Sequence, residues 1–337
     1  MSETTHPRIA VISLGGTIAS TAVADQAGVA PSLDAGDLLT GVAGVGELAD
    51  VKAVALQRVA SSDLTISDAL NLAREIEARL ADGAVGVVVT QGTDTMEEMA
   101  FALDLLVAGD APVVFTGAMR NATEAGADGP ANLLDAVRVA ISPAARGLGT
   151  LVVMNGEIHA ARFVRKSHAT STAAFHSPSV GPLGWISEGR VRLALSVTPW
   201  PRVLGTMTAS ADIALIAASL GDDLRLVGQV VSLEYRGVVV DALGGGHVPS
   251  ASVEALEALS ATVPVVLASR AGAGDALRQT YRFAGSEIDV LSRGSISAGA
   301  LDARKARVLL SLLVGSGASV EDCRRAFAVV NEAMFRE

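Results

Sequence analysis

Cysteine is nearly absent: Cys323 is the only one in 337 residues. No disulfide can close within one chain, and no Cys/His cluster has zinc-site spacing. The histidines, His6, His159, His168, His176 and His247, form no tight i, i+4 pair. No zinc site is expected from these spacings. Aromatic residues make up 3% of the chain and include two tyrosines, Tyr235 and Tyr281. The cores must therefore be built from small apolar side chains. Basic charge is short as well: 26 Lys and Arg stand against 36 Asp and Glu, for a net charge of −10. Without a basic stripe, nucleic-acid binding is disfavoured. Long apolar runs are also missing. The run Ile9 to Leu14 follows the polar start MSETTHPR and breaks at Gly15. Neither a secretory leader nor a membrane-spanning helix is read there, and a cytoplasmic protein is expected.

The remaining composition is that of a globular protein. Hydrophobic residues reach 50% and charged residues 18%, ample for a core and unlike a disordered chain. The length favours two domains. Runs apolar on both faces, Ile9–Leu14, Val85–Thr90, Pro112–Thr116 and Thr150–Met154, suit buried parallel strands. Between them, residues 67–82 and 96–108 carry apolar stripes at helical spacing, closed by Gly83 and Gly109. Asp128-Gly129-Pro130 reads as a helix start. The segment VTPWPRV at 197–203 is the best linker. Beyond it come strands at Ile213–Ala217, Gly237–Asp241 and Pro264–Ala268, then helices near Asp302–Leu313 and Val320–Met334, the last capped by Ser319 with Asp322. The alternation predicts an α/β fold. A larger N-terminal, doubly wound and mostly parallel sheet domain (1–198) is joined by a linker (199–212) to a smaller C-terminal α/β domain (213–337).

Ligands of open parallel sheets bind at the carboxyl ends of the strands. Two such ends here present hydroxyls: Gly15-Gly16-Thr17, and Thr90-Gln91-Gly92-Thr93-Asp94-Thr95. Neither fits the dinucleotide or P-loop glycine pattern. Each alone reads equally as a tight turn with a helix-capping threonine. Together, at successive strand ends, they point to hydroxyl chemistry supported by backbone N–H groups. Gly244-Gly245-Gly246 reads as a tight strand-to-helix turn, and Cys323 as a packing residue.

LGGTIAS with TQGTDTMEE resembles the two signature segments of the bacterial-type L-asparaginases, the asparaginase/glutaminase amidohydrolases. Ala60-Ser61-Ser62-Asp63, VVFTGAMR, ADGPANL, RKSHATSTAAFHSPSVGPLGWI, DALGGGHVP and LDARKARVLL resemble further family segments in order, over nearly the whole chain. The resemblance implies hydrolysis of the L-asparagine side-chain amide with Thr17 as primary nucleophile, a reaction that needs no metal and no organic cofactor. It implies a second group of Thr93, Asp94 and Lys166. Ser61, Ser62 and Asp94 would hold the substrate's α-carboxylate and α-amino groups, and the backbone at Ala118 would meet the departing nitrogen. Glu287 would reach a neighbouring subunit's site in a homotetramer. Without the resemblance, Lys166, Ser61, Ser62 and Glu287 read as solvated surface residues. The implied chemistry is coherent, because a threonine hydroxyl attacks only when a base takes its proton, and a lysine serves as base only where it is desolvated.

One departure from the family stands out. Its members usually carry a tyrosine in a mobile lid after the first threonine, whereas residues 18–60 here contain none. Asp25 and Tyr281 are the candidates to replace it. Three other readings stay open: a broader glutaminase–asparaginase, a non-catalytic amino-acid sensor on the same fold, and a nucleotide-dependent enzyme.

Overall fold

The computed structural model describes residues 6–22, 29–31, 35–201 and 206–335. The chain divides into two compact units, Met1–Pro199 and Trp200–Glu337. The first unit begins with β1 (Arg8–Gly15), the short pair β2 (Ser20–Ala22) and β3 (Val29–Pro31), helices α1 (Ala35–Thr40) and α2 (Val45–Leu48), and β4 (Asp50–Val59). Next come α3 (Ile66–Ala81), β5 (Gly86–Thr90), α4 (Met96–Leu106), β6 (Val113–Thr116), α5 (Gly129–Ala140) and β7 (Thr150–Met154). It closes with β8 (Glu157–Ala160), the two-residue strands β9 (Arg165–Lys166) and β10 (Phe175–His176), then β11 (Gly184–Ser187) and β12 (Arg190–Leu193).

Among the described residues eight of these strands form one sheet in the order β12-β11-β8-β7-β6-β5-β1-β4, and β2–β3 and β9–β10 form separate two-stranded pairs. From β4 to β7 all neighbours are parallel. The β7–β8, β8–β11 and β11–β12 pairs are antiparallel. The predicted parallel strands are the buried centre. Every residue of β5, β6 and β7 is buried, as is all of β1 after Arg8. A strand covered on both faces has no use for alternation, which explains the continuous valine runs. One face packs Ile9, Val11, Val88, Val114 and Val153 against Ala136, Val137 and Ala140 of α5. Helices α3 and α4 also lie on the sheet, and their residues fall outside that cluster, which puts them on the opposite face.

Local chemistry sets the helix and hairpin ends. Thr65 caps α3 in a reciprocal box with Asp68, and Gly83 ends it at φ +92°, with its N–H on the Leu80 carbonyl. The helix predicted over 96–108 stops at Leu106, because Val107 turns extended, two residues before Gly109. The β7–β8 hairpin turns through Asn155-Gly156 with φ of 52° and 75°, the left-handed pair that a two-residue hairpin loop requires.

The second unit holds β13 (Ala214–Ala217), β14 (Val238–Ala242), α6 (Val253–Ser260), β15 (Val265–Ser269), α7 (Glu287–Ser292), β16 (Ile296–Ser297), α8 (Ala303–Gly315) and α9 (Val320–Met334). Its strands are all parallel, in the order β13-β14-β15-β16. Asp302 caps α8 and also accepts the buried Lys305 ammonium at 3.0 Å. Ser319 and Asp322 cap α9 as predicted. Among the described residues no helix is long and apolar enough to cross a membrane.

Candidate active site

Counted along the chain, the five parallel strands of the first unit lie in the order 2-1-3-4-5. The chain runs outward from β1 to β4, then back through β5 on the other side. Such a reversal opens a crevice beyond the carboxyl ends of the two central strands. The turns after β1, β4 and β5 meet there. Gly16, at φ +88°, lies so close to the second signature that a Cβ on it would sit 2.1 Å from the Gly92 nitrogen. A Cβ on Gly92 would in turn sit 2.7 Å from Ser61 Oγ. The glycines thus let the first two turns meet backbone to backbone and bring the Ser61 side chain against the second, and Thr17 and Thr93 each follow by one residue. Thr17 opens a 3-10 turn over Thr17–Ala19 and is half-buried. Ser20 Oγ donates to the Gly16 carbonyl at 2.8 Å, which fixes the turn. Thr93 is buried.

Lys166 reaches this crevice from β9. Its Nζ donates to Thr93 Oγ1 at 2.9 Å and to Asp94 Oδ1 at 2.6 Å. The Lys166 side chain is 15% exposed and that of Asp94 is 71% exposed. One end of the carboxylate–ammonium pair therefore faces solvent, where a substrate can meet it. The Asp94 N–H donates to Ser61 Oγ at 3.3 Å, joining the predicted substrate loop to the same turn. Ser62, on that loop, is exposed, with its hydroxyl directed at Asp63. Gly117 abuts the methyl of Thr93, and Ala118 lines a cavity of about 260 Å³ together with Ile18, Leu38, Gly129 and Leu133.

Several contributors were not singled out from sequence. The Asp128 side chain does not cap α5; it accepts the N–H groups of Met119 at 3.0 Å and Arg120 at 2.9 Å. Asn132 donates to the Gly117 carbonyl at 3.0 Å and accepts the Asn155 N–H at 3.0 Å. Together they hold the Ala118 loop against β7. Glu97, buried in the first turn of α4, accepts the Lys166 main-chain N–H. Asp104 and Arg162, both buried, pair at 3.1 Å and tie α4 to the chain just ahead of β9.

The hairpin that carries Lys166 is pinned at its far end. His159 Nδ1 lies 3.0 Å from Ser177 Oγ, one residue past β10, and its Nε2 lies 3.3 Å from Glu157 Oε2. Burial, helped by the positive charge of His176, pushes the His159 pKa down to about 4. Between that value and the ordinary 6.5, the unfolded chain holds a proton that the folded one lacks. The stability of the neutral histidine is fully present above pH 6.5 and is lost as the pH falls towards 4, by about 3 kcal/mol in all. Melting temperature should therefore drop more steeply between pH 7 and pH 4.5 in the wild type than in His159→Gln. Parallel curves would refute the assignment.

Glu287 lies in the second unit, at the start of α7, and is buried. Its carboxylate accepts the N–H groups of Thr280 at 2.7 Å and Tyr281 at 2.6 Å, and lies 3.1 Å from His247 Nε2. Burial works against its charge, but the hydrogen bonds from Tyr281 and Thr280 outweigh it and hold the carboxyl below its usual range. Tyr281 is 46% exposed and packs edge-on to His247. Asp25 lies outside the described residues.

Residues 8–198 match the family model of the asparaginase N-terminal domain, and residues 212–327 that of the glutaminase/asparaginase C-terminal domain. The chain is 40% identical over 326 residues to a probable L-asparaginase of Deinococcus radiodurans, covering 95% of this chain and 97% of that protein. It is 35% identical over 314 residues to a probable periplasmic L-asparaginase of Haemophilus influenzae, covering 91% and 88%. A crystal structure of a probable cytoplasmic L-asparaginase from Campylobacter jejuni matches with a TM-score of 0.84 at 32% identity, covering 96% of this chain and 99% of that one.

Proposed function

The chain belongs to the asparaginase family of amidohydrolases, and from that premise we propose that it hydrolyses the side-chain amide of L-asparagine to L-aspartate and ammonia. The observation that carries the mechanism is the contact of Lys166 Nζ with Thr93 Oγ1 and Asp94 Oδ1, on a turn packed against that of Thr17. Thr17 Oγ attacks the amide carbon, and backbone N–H groups of the two glycine turns steady the oxyanion. With no tyrosine in residues 18–60, we assign a Thr93–Lys166–Asp94 relay as acceptor of the Thr17 proton: as Thr93 takes it, Thr93 gives its own proton to Lys166 and the Lys166 ammonium passes one to the Asp94 carboxylate. That proton passes to the amide nitrogen as the C–N bond breaks and ammonia leaves. Water then attacks the aspartyl ester on Thr17, the ester C–O bond breaks, and the hydroxyl is restored.

Asp94, with its exposed carboxylate, takes the substrate ammonium, Ser61 and Ser62 take the α-carboxylate, and the backbone at Ala118 faces the leaving nitrogen. Glu287, held ionised by its N–H donors, serves a neighbouring subunit's site in a homotetramer. A cytoplasmic location is supported by the description of the C. jejuni relative; the H. influenzae relative is described as periplasmic, and cell fractionation separates the two.

The test is ammonia release from L-asparagine, L-glutamine and D-asparagine side by side. One methylene changes binding by about 1–3 kcal/mol, so L-asparagine should exceed L-glutamine by at least about tenfold, with D-asparagine slower still. Equal rates on both L-amides would assign the broader ω-amide specificity. Binding of L-aspartate with no ammonia from any substrate would make the chain a sensor and overturn the proposal.

A further inference from the structure

We propose that Thr95 and Glu97 are positioning residues that divide the site's work: Thr95 sets the substrate-binding loop and Glu97 sets Lys166. The inference rests on the asparaginase reading above.

Thr95 stands just ahead of α4, where a threonine hydroxyl ordinarily accepts a helix N–H. It makes no such bond. Its Oγ1 donates to the Ser61 carbonyl at 2.8 Å and accepts from Gln91 Nε2 at 3.2 Å, and Gln91 is fully buried. Ser61 is thus held twice by one turn: its carbonyl by Thr95 and its hydroxyl by the Asp94 N–H. A local cap has been exchanged for a tertiary bond that fixes the Ser61–Asp63 turn over the crevice.

Glu97 departs from expectation in the same way. An acidic residue in a helix's first turn gains from the dipole while facing water, and burying it is costly unless it is engaged. Glu97 is 3% exposed and accepts the main-chain N–H of Lys166. The five residues from Thr93 to Glu97 therefore grip Lys166 at both ends, the amine through Thr93 and Asp94 and the amide through Glu97. Strand β9 is two residues long and, among the described residues, pairs only with β10. Its own ladder is too short to fix the lysine against the first unit's main sheet, and the Glu97 carboxylate supplies that link.

The two roles predict opposite kinetic signatures. Thr95→Val keeps the shape and removes the hydroxyl. The loop loosens, so KM for L-asparagine should rise about tenfold, with kcat within about twofold. L-Aspartate, titrated as a product ligand, should weaken by the same factor. Glu97→Gln keeps an acceptor but replaces a charged hydrogen bond with one about half as strong. Displacing Lys166 by a fraction of an ångström should lower kcat about tenfold or more, with KM and L-aspartate affinity within about twofold. Loss of folded protein alone would scale kcat and leave both affinities untouched, so the Thr95→Val affinities separate positioning from destabilisation there. For Glu97→Gln, kcat is taken per L-aspartate-binding site counted by titration, a value that loss of folded protein would leave at the wild-type level. Changes in KM and kcat together in both variants, or wild-type constants in either, would overturn the inference. Thr17→Ala, assayed alongside, separates the two failures. If Thr17→Ala turns over normally, the asparaginase mechanism is wrong. If it is inactive while the other variants show no split, only the division between Thr95 and Glu97 is wrong.

Discussion

Thr17→Ala should lower kcat for ammonia release from L-asparagine by at least about a thousandfold, roughly 4 kcal/mol of transition-state stabilisation, while leaving the fold intact. The fold should survive because the turn is held by the Ala19 N–H and Ser20 Oγ, both on the Gly16 carbonyl, and not by the threonine hydroxyl. Steady-state kinetics measure the first expectation and melting temperature the second. If Thr17 only helped to hold substrate, KM would rise and kcat would persist. Unchanged turnover would remove it from the mechanism.

Lys166→Met should cost about 10²- to 10⁴-fold in kcat, the range for losing a positioned proton-transfer group. The variant keeps the apolar stem and the main-chain N–H that Glu97 holds. Asp94 loses its partner at an exposed position, where an ion pair contributes only up to about 1 kcal/mol. Stability should therefore change little while chemistry collapses. Because Lys166 and Thr93 act through one hydrogen bond, Lys166→Met combined with Thr93→Val should be no slower than the worse single variant. A multiplicative loss would mean that the two residues act independently.

The parts of the fold legible in the sequence are those where burial leaves a simple mark. The valine runs of β5 to β7 are covered on both faces and read as strands at once. Strand β4 is longer than any of them but lies at the sheet edge, half-exposed, and its DVKAVALQRV mixes polar and apolar residues without a clean period. Strands β11 and β12 fail to show for the same reason at the opposite edge. Capping was legible where the side chain stays local, at Ser319. At Asp128 the predicted helix start holds, though its carboxylate reaches the Met119 and Arg120 N–H groups, and Thr95 was open, its hydroxyl reaching the Ser61 loop.

The site divides in the same way. Two glycine–threonine turns at strand ends could be found along the chain, and so could Lys166 through the family resemblance. The contact of Gly16 with Gly92 could not, since the two are brought together only by the reversal of strand order at β1. Glu97 left one unused signal: it sits in a helix that buries Met96, Met99, Ala100, Phe101, Ala102 and Leu103, with little surface left for a charge to face water. Asp104 in the same helix carries the same signal, and it too is buried, against Arg162.

The most direct measurement is peptide mapping of acid-quenched enzyme caught during turnover of L-asparagine, preferably in a variant slowed after acylation. An aspartyl ester on the peptide that contains Thr17 is the predicted result. An ester on the peptide of Thr93, with Thr17 unmodified, would contradict the assignment of the nucleophile.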